Sequence, residues 1–278
     1  SGNHFLEVDR IAEVFDPELG EALGLIEGKI AVLIHSGSRG LGHQVCTDFL
    51  PVMKQAAKSY GIRLPDPQLA CAPFRSEEGQ RYFGAMRAAV NYAFANRQVM
   101  AHKTREAFVE IFGEGVRLEQ VYDVCHNIAK LERHVVGGEE REVVVHRKGA
   151  TRAFPPGHPL TPEAYRAVGQ PVMVPGDMGR YSFVLVGTEG AWTETLGSSC
   201  HGAGRLQSRT KARKATRDRN VPKELAARGI EVRAASRRTV DEEYPEAYKD
   251  VADVVDVVGG AGIARVVARL EPLGVVKG

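Results

Sequence analysis

The hydrophobic pattern of the chain changes period several times. Residues 29–35, Lys-Ile-Ala-Val-Leu-Ile-His, form a short apolar run rich in β-branched residues, which predicts a buried strand. The run leads into Ser36-Gly37-Ser38-Arg39-Gly40-Leu41-Gly42, read as a loop whose glycines let backbone approach a ligand closely. Residues 43–60 place Val45, Phe49, Val52 and Ala56 on one helical face. Residues 76–112 keep a three-to-four spacing at Phe83, Met86, Val90 and Phe94, predicting a long helix that starts near Ser76. Strands are predicted over 118–125, 142–146, 171–174 and 181–187, with His126-Asn127 at the end of the first. A last helix is predicted over 244–256, and Val266–Leu270 as a final strand or helix. Short strands alternate with helices grouped in long blocks, and there is no internal repeat. The class is α+β.

Composition narrows the field only modestly. The chain has 278 residues, 43% apolar and 26% charged, so collagen, coiled coil and wholesale disorder are excluded. A net charge of +2 argues neither for nor against nucleic acid. The local picture differs, because Arg205 to Arg219 carries seven bases and one acid. Such a run is usually a solvated helix face, and becomes a nucleic-acid track only beside a phosphate site. Cys46, Cys71, Cys125 and Cys200 are widely spaced, which argues against a disulfide framework and fits a reducing cytoplasm. No apolar run approaches the roughly 18 residues of a membrane helix, so no membrane is expected. The chain starts Ser1-Gly2-Asn3-His4-Phe5 rather than with Met, then alternates as a strand already under way. It is expected to be a piece of a longer protein.

His4, His35, His126 and His201 each fall where an expected strand meets a polar or glycine-rich turn. Such junctions are where a scaffold presents functional groups. Taken singly each signal is weak. His43, His102, His134, His146 and His158 lack that context and are read as ordinary structural histidines. Three imidazoles suit Zn, Mn, Fe, Cu or Ni, and the wide spacings identify no one metal. His201-Gly202-Ala203-Gly204 suggests another role: exposed backbone N–H groups can cradle a phosphate, with Arg205 and Arg209 adding charge. An imidazole held against phosphorus can act as a nucleophile.

Six blocks in order then resemble a known family, the RtcB RNA-splicing ligases. They are Gly2-Asn3-His4-Phe5-Leu6-Glu7, His35-Ser36-Gly37-Ser38-Arg39-Gly40-Leu41-Gly42, Cys125-His126-Asn127, His146-Arg147-Lys148-Gly149-Ala150, Pro175-Gly176-Asp177-Met178-Gly179, and Ser199-Cys200-His201-Gly202-Ala203-Gly204-Arg205. The resemblance extends to Lys277-Gly278 and implies an RtcB-like α+β fold with mixed and antiparallel sheets and surrounding helices. It implies a GTP- and Mn²⁺-dependent ligase that joins RNA 3′-phosphate or 2′,3′-cyclic phosphate ends to 5′-hydroxyl ends, tRNA halves being the expected example. The active-site histidine takes GMP from GTP, passes it to the RNA 3′-phosphate, and the 5′-hydroxyl displaces it. Archease is an accessory partner of some members. By the resemblance, His201 matches the guanylated histidine, and His4, His35 and His126 match ligands of a two-ion manganese site. Asn3, His4, Phe5, Leu6, Glu7, His126, Asn127, Pro175, Gly176, Asp177, Met178, Ser182, His201, Gly202, Ala203, Gly204 and Lys277 match positions lining GTP. Arg39 and Arg209 are candidates for RNA phosphates.

Two departures stand out. The family's metal site also takes an Asp and a Cys from a segment ahead of the Asn-His motif. Residues 1–278 therefore read as one catalytic region truncated at its N-terminus, expected to bind Mn²⁺ poorly alone. Asp177 stands where many relatives carry Ser, a charge that a nearby base or metal must offset. The competing readings are a metal-dependent phosphoesterase and a nucleotide- or RNA-binding fragment without catalysis.

Overall fold

Alternation along β1 (Phe5–Val14) sets its two faces: Glu7, Asp9 and Ile11 are buried, and Arg10 is exposed. This computed structural model describes residues 4–278. Asn3, expected at the nucleotide site, lies outside the described residues. The chain continues through α1 (Pro17–Ala22), β2 (Ile30–His35), α2 (Arg39–Ser59) and α3 (Glu77–Phe112). Next come β3 (Asn127–Val136), β4 (Glu139–Lys148), β5 (Ala150–Arg152), β6 (Pro171–Val174), β7 (Ser182–Gly187), α4 (Glu189–Glu194) and β8 (Ser198–Cys200). It ends with α5 (Arg209–Ala215), α6 (Val221–Ala226), β9 (Glu231–Ala234), α7 (Arg237–Glu242), α8 (Val251–Gly260) and β10 (Ala264–Lys277). The fold is α+β, as the sequence and the resemblance predict. Two compact units emerge: residues up to His35 with Glu119–Gly278, and Ser36–Leu118.

The first unit is built on a sheet ordered β2-β1-β10-β7-β6, with β9 beside β10. The neighbours along the main path are antiparallel; β9 runs parallel to β10. β7 explains why the sheet is central. Its Phe183 and Leu185 face one apolar cluster with Val172, Val174 and Val251, Val255 and Val258 of α8. Val184 and Val186 face a second with Ile11, Leu23, Val267 and Leu270. A strand covered on both faces reads as an unbroken apolar run, and this one does. The 251/255/258 spacing is the helical stripe that covers the sheet. A third cluster gathers Met178, Leu225, Ile230, Val240, Tyr244 and Val275. Beside the sheet stand two small ladders, β3–β4 and β5–β8. The β3–β4 hairpin closes through Gly137 and Gly138, both at positive φ, as a two-residue hairpin turn requires.

The second unit pairs α2 with α3, burying Met53, Ala56, Ala57, Ala89 and Ala93. Ser76 caps α3 by accepting the Gly79 N–H at 3.1 Å. The Ser36-Gly37 segment is held by Asn96, which donates to Ser36 Oγ and the Gly37 carbonyl, and by Arg97, which donates to the Ser36 carbonyl. No helix among the described residues is long and apolar enough to cross a membrane.

Three expectations are corrected. Residues 118–125 form no strand, so His126 precedes a strand instead of ending one. The expected helix over 244–256 is broken: Pro245–Ala247 is a single 3₁₀ turn, and Asp250 caps α8 afresh. The glycine-rich loop is shorter than expected, because α2 begins already at Arg39.

Candidate functional site

Pairing of β1 with β2 places Phe5 opposite His35, and the two rings meet edge to face at 5.2 Å. His4 immediately precedes β1, and its ring centroid lies 6.3 Å from that of His35. His126, at the entry to β3, brings its ring to 5.1 Å from His35 and 4.2 Å from His201. His201 follows β8 and sits 6.4 Å from His35. Four histidines from four separate chain segments thus converge at one place in the first unit.

Within this group His35 Nε2 and His126 Nε2 are 3.0 Å apart. Burial, followed by the neighbouring His126, His201 and His4, lowers the His35 pKa to about 3, so its imidazole is neutral. Neutral imidazole is the ligand form. Two nitrogens on one ion, at about 2.0–2.1 Å and a tetrahedral angle, lie roughly 3.3 Å apart. The His35–His126 pair therefore fits two positions on one ion. Among the described residues no group of three or more His, Cys, Asp or Glu side chains forms a metal site.

His201 is placed differently. A Cβ added to Gly149 would lie 3.6 Å from His201 Nδ1 and Cε1, so Nδ1 is the ring nitrogen on that side. Burial lowers the His201 pKa, and a hydrogen bond to the Gly149 backbone partly offsets this. A ring that donates from Nδ1 keeps its lone pair on Nε2. The following Gly202 has φ 156°, and a Cβ there would come within 2.8 Å of the Pro175 carbonyl. The Ala203 N–H donates to that same carbonyl at 3.0 Å. The 201–204 turn is thereby pressed on the 175–179 loop, where the Gly176 N–H donates to the buried Ser182 Oγ.

Asp177 is buried, accepts the Gly179 N–H at 3.0 Å, and has Arg180 Nε at 3.4 Å. Burial pushes its pKa up to about 6 against those two partners. Arg180 is the base that this position calls for. Met178 is sunk in the third apolar cluster, so its side chain faces the core. Leu6 points to the face of β1 opposite Phe5 and Glu7. Glu7 and Lys277 are both buried; burial raises the Glu7 pKa and lowers that of Lys277. Lys277 Nζ lies 5.1 Å from the centre of the Phe5 ring. Asn127 is exposed, with its Oδ1 accepting from Lys148 Nζ at 3.5 Å. Cys200 packs against the first apolar cluster, and burial pushes its thiol pKa up.

The two phosphate candidates have different settings. Arg39 is the exposed first residue of α2, at φ 51°, in the second unit. Arg209 Nε lies 3.4 Å from the buried Glu243 and 3.8 Å from Glu242. Arg205, Arg213 and Arg219 of the basic run are likewise ion-paired with glutamates. The sequence does not single out Gly149, whose backbone lies against the His201 ring, although it stands in one of the six matching blocks. The same is true of Arg147, buried two residues before it.

The RtcB family model, described as tRNA-splicing ligase RtcB, matches residues 1–278. Named relatives agree. The chain is 58% identical to the tRNA-splicing ligase RtcB of Thermococcus kodakarensis, over 100% of this chain and 58% of that protein. It is 56% identical to the protein of that name from Archaeoglobus fulgidus, with the same coverage, and 57% identical to that from Pyrococcus furiosus, of which it spans 29%. The chain thus covers less than two thirds of these curated relatives. With the whole length matched and more than half of its residues identical to these proteins, this chain belongs to the RtcB tRNA-splicing ligase family.

Proposed function

We propose that this chain carries the guanylyl-transfer centre of an RNA ligase that seals 3′-phosphate or 2′,3′-cyclic phosphate ends to 5′-hydroxyl ends. The observation that carries the reading is the convergence of His4, His35, His126 and His201 in one place. GTP is the co-substrate in this reading, and the 175–179 and 201–204 loops supply its cradle. His35 and His126 would hold a divalent ion, Mn²⁺ in this reading, with His4 as a further candidate. Such an ion, when bound, supplies positive charge against the phosphate oxygens.

The protein's own groups do the rest. The Gly149 contact keeps the His201 proton on Nδ1 and presents the Nε2 lone pair. Nε2 bonds to the α-phosphorus as the bond to the β-phosphate oxygen breaks, and pyrophosphate leaves. The guanylate then moves to the RNA 3′-phosphate, and the incoming 5′-hydroxyl displaces GMP. A cyclic end is first opened to the 3′-phosphate. Because burial lowers the His201 pKa, the ring stays neutral and nucleophilic at neutral pH. Lys277 and Glu7, both buried, line the nucleotide in this reading. Arg39 and Arg209 are offered as RNA-phosphate contacts, with Arg209 exchanging its carboxylate partners for the RNA.

The test is incubation of the full-length protein with Mn²⁺ and GTP labelled at the α-phosphorus. Label on the protein that is acid-labile, alkali-stable and lost in His201→Ala supports the reading. An unlabelled full-length protein defeats it.

A further inference from the structure

Arg147 is 2% exposed and uses every arm of its guanidinium. Nη1 and Nη2 donate to the two Glu132 carboxylate oxygens at 2.8 Å each, a bidentate pair. Nε donates to Ser198 Oγ at 2.9 Å. Nη2 also reaches the Leu196 carbonyl at 2.9 Å and the Gly197 carbonyl at 3.3 Å. Leu196 is one of two non-glycine residues at positive φ among the described residues, so this turn is strained backbone held from outside.

The location matters more than the strength. The turn at 196–197 launches β8, which ends at Cys200 and delivers His201. Arg147 is itself the penultimate residue of β4, two before Gly149, which carries the backbone contact to the His201 ring. β5 and β8 pair Ala150 with Cys200 and Arg152 with Ser198. One buried cation therefore ties the start of β8 to the strand that leads into its partner. The far end of that ladder holds the histidine and its acceptor.

A buried ion pair is weak grounds for stability, since apolar residues of the same volume often serve as well. What apolar residues do not supply is five directed bonds to two other chain segments, Glu132 of β3 and the 196–198 turn. We propose that Arg147, backed by Glu132, is a positioning residue. It fixes β8 against the Gly149 turn and so holds the His201 ring, which lies against Gly149, in one orientation. This rests on the guanylyl-transfer reading for its consequence, though the ring geometry itself does not.

The test uses the full-length protein and the variants Arg147→Met and Arg147→Lys, with fold checked by circular dichroism and thermal melting. ¹⁵N spectra of the histidine rings, without GTP or metal, report the His201 tautomer, assigned by its loss in His201→Asn. The wild type should show one tautomer with Nδ1 protonated, and folded Arg147→Met a mixture. Single-turnover guanylylation should fall about ten- to a hundredfold, the scale expected of a misplaced reacting group. The affinity for GTP should stay within about twofold, since ground-state binding is not what the contact controls. If Arg147→Met does not fold, Arg147→Lys carries the test, because an ammonium keeps the Glu132 charge but not the fork. A folded variant that keeps the single Nδ1–H tautomer overturns the proposal, as does a parallel loss of GTP affinity and rate. A wild type that forms no adduct would count against the ligase reading only; the tautomer comparison would still decide the role of Arg147.

Discussion

His35 and His126, 91 residues apart in sequence, bring their Nε2 atoms to 3.0 Å. Only one of two such nitrogens can donate to the other, so in the absence of an ion the two rings must take complementary tautomers. An ion between them would remove that constraint and use both lone pairs. Replacing either ring by alanine should therefore weaken Mn²⁺ binding by more than the roughly 10–100-fold that loss of an outer-shell partner costs. Titration followed by the electron paramagnetic resonance of free Mn²⁺ measures this without any turnover. Equal Mn²⁺ affinity in His126→Ala and wild type would remove these rings from the metal site.

The Gly202 position makes a separate demand. Its φ of 156° and the 2.8 Å approach of an added Cβ to the Pro175 carbonyl leave no room for a side chain. Gly202→Ala should push the 201–204 turn off the 175–179 loop and break the Ala203 N–H bond to that carbonyl. The strands of the main sheet are not touched, so the melting temperature should fall only by the few degrees of a loss of about 1–2 kcal/mol. In the proposed guanylyl-transfer reading, the guanylylation rate should drop far more than stability does. Comparing thermal melting with single-turnover rates separates the two.

Glu132 lies between Arg147 and His134, whose Nε2 is 3.1 Å from Glu132 Oε2. Burial opposes its ionisation, but the bonds and charge of Arg147, with His134, outweigh this and hold the carboxyl below its ordinary range. A depressed carboxylate pKa gives stability that is present above the unfolded value of about 4.3 and lost as pH falls through the folded value. Glu132→Gln should accordingly show a shallower loss of stability in acid than wild type. Glu132→Ala should cost about 3–5 kcal/mol at neutral pH, because it strands a buried guanidinium. Urea unfolding at several pH values tests both; a neutral-pH cost below about 1 kcal/mol, the level of an exposed pair, would contradict the account.

The same hairpin shows where sequence reading runs out. β2 is legible because Ile30, Val32 and Ile34 make a β-branched run. α3 is legible because its apolar spacing persists for 36 residues. β3 is not legible, because its polarity is inverted. Glu132 and His134 face inward while Leu131 and Val135 are exposed, so alternation points the wrong way. His134 lacks the strand-end context of the other four histidines and reads as an ordinary structural residue; it lies buried beside Glu132, at the end of the ion network. The 118–125 segment carries strand-like residues but spends them on tertiary contacts: Val121 packs on the second cluster, and Tyr122 OH accepts from Gln170. The basic run reads as a solvated helix face, with a nucleic-acid track as the alternative, because apart from Glu224 its partners Glu242, Glu243 and Glu246 lie beyond any local window. The histidine convergence came from motifs in order, not from spacing, and the Gly149 and Arg147 contacts needed the ladder register to be seen.

Asp9 offers the sharpest test of electrostatics outside the histidine group. It is 1% exposed, and neither carboxylate oxygen has a hydrogen-bond partner among the described residues. Glu7 lies two residues earlier on the same face of β1, equally sunk. Burial pushes the Asp9 pKa up to about 7; Glu7 is also raised, by burial first and then by the charge of Asp9. An acid raised on folding keeps its proton to higher pH in the native state than in the unfolded chain. The native state then binds more protons between the ordinary carboxyl value of about 3.9 and pH 7, and stability falls as pH rises across that window. Unfolding free energy measured with urea should therefore decline from pH 5 to pH 8. Asp9→Asn carries no ionisable group at this position and relieves Glu7 of the Asp9 charge, so the decline should become shallower, with Glu7 keeping the part that its own burial causes, and the variant should gain on wild type at pH 8. A wild-type slope that survives intact in Asp9→Asn would mean the carboxyl is ionised and solvated at neutral pH, and that the inner face of β1 is wetter than its burial indicates.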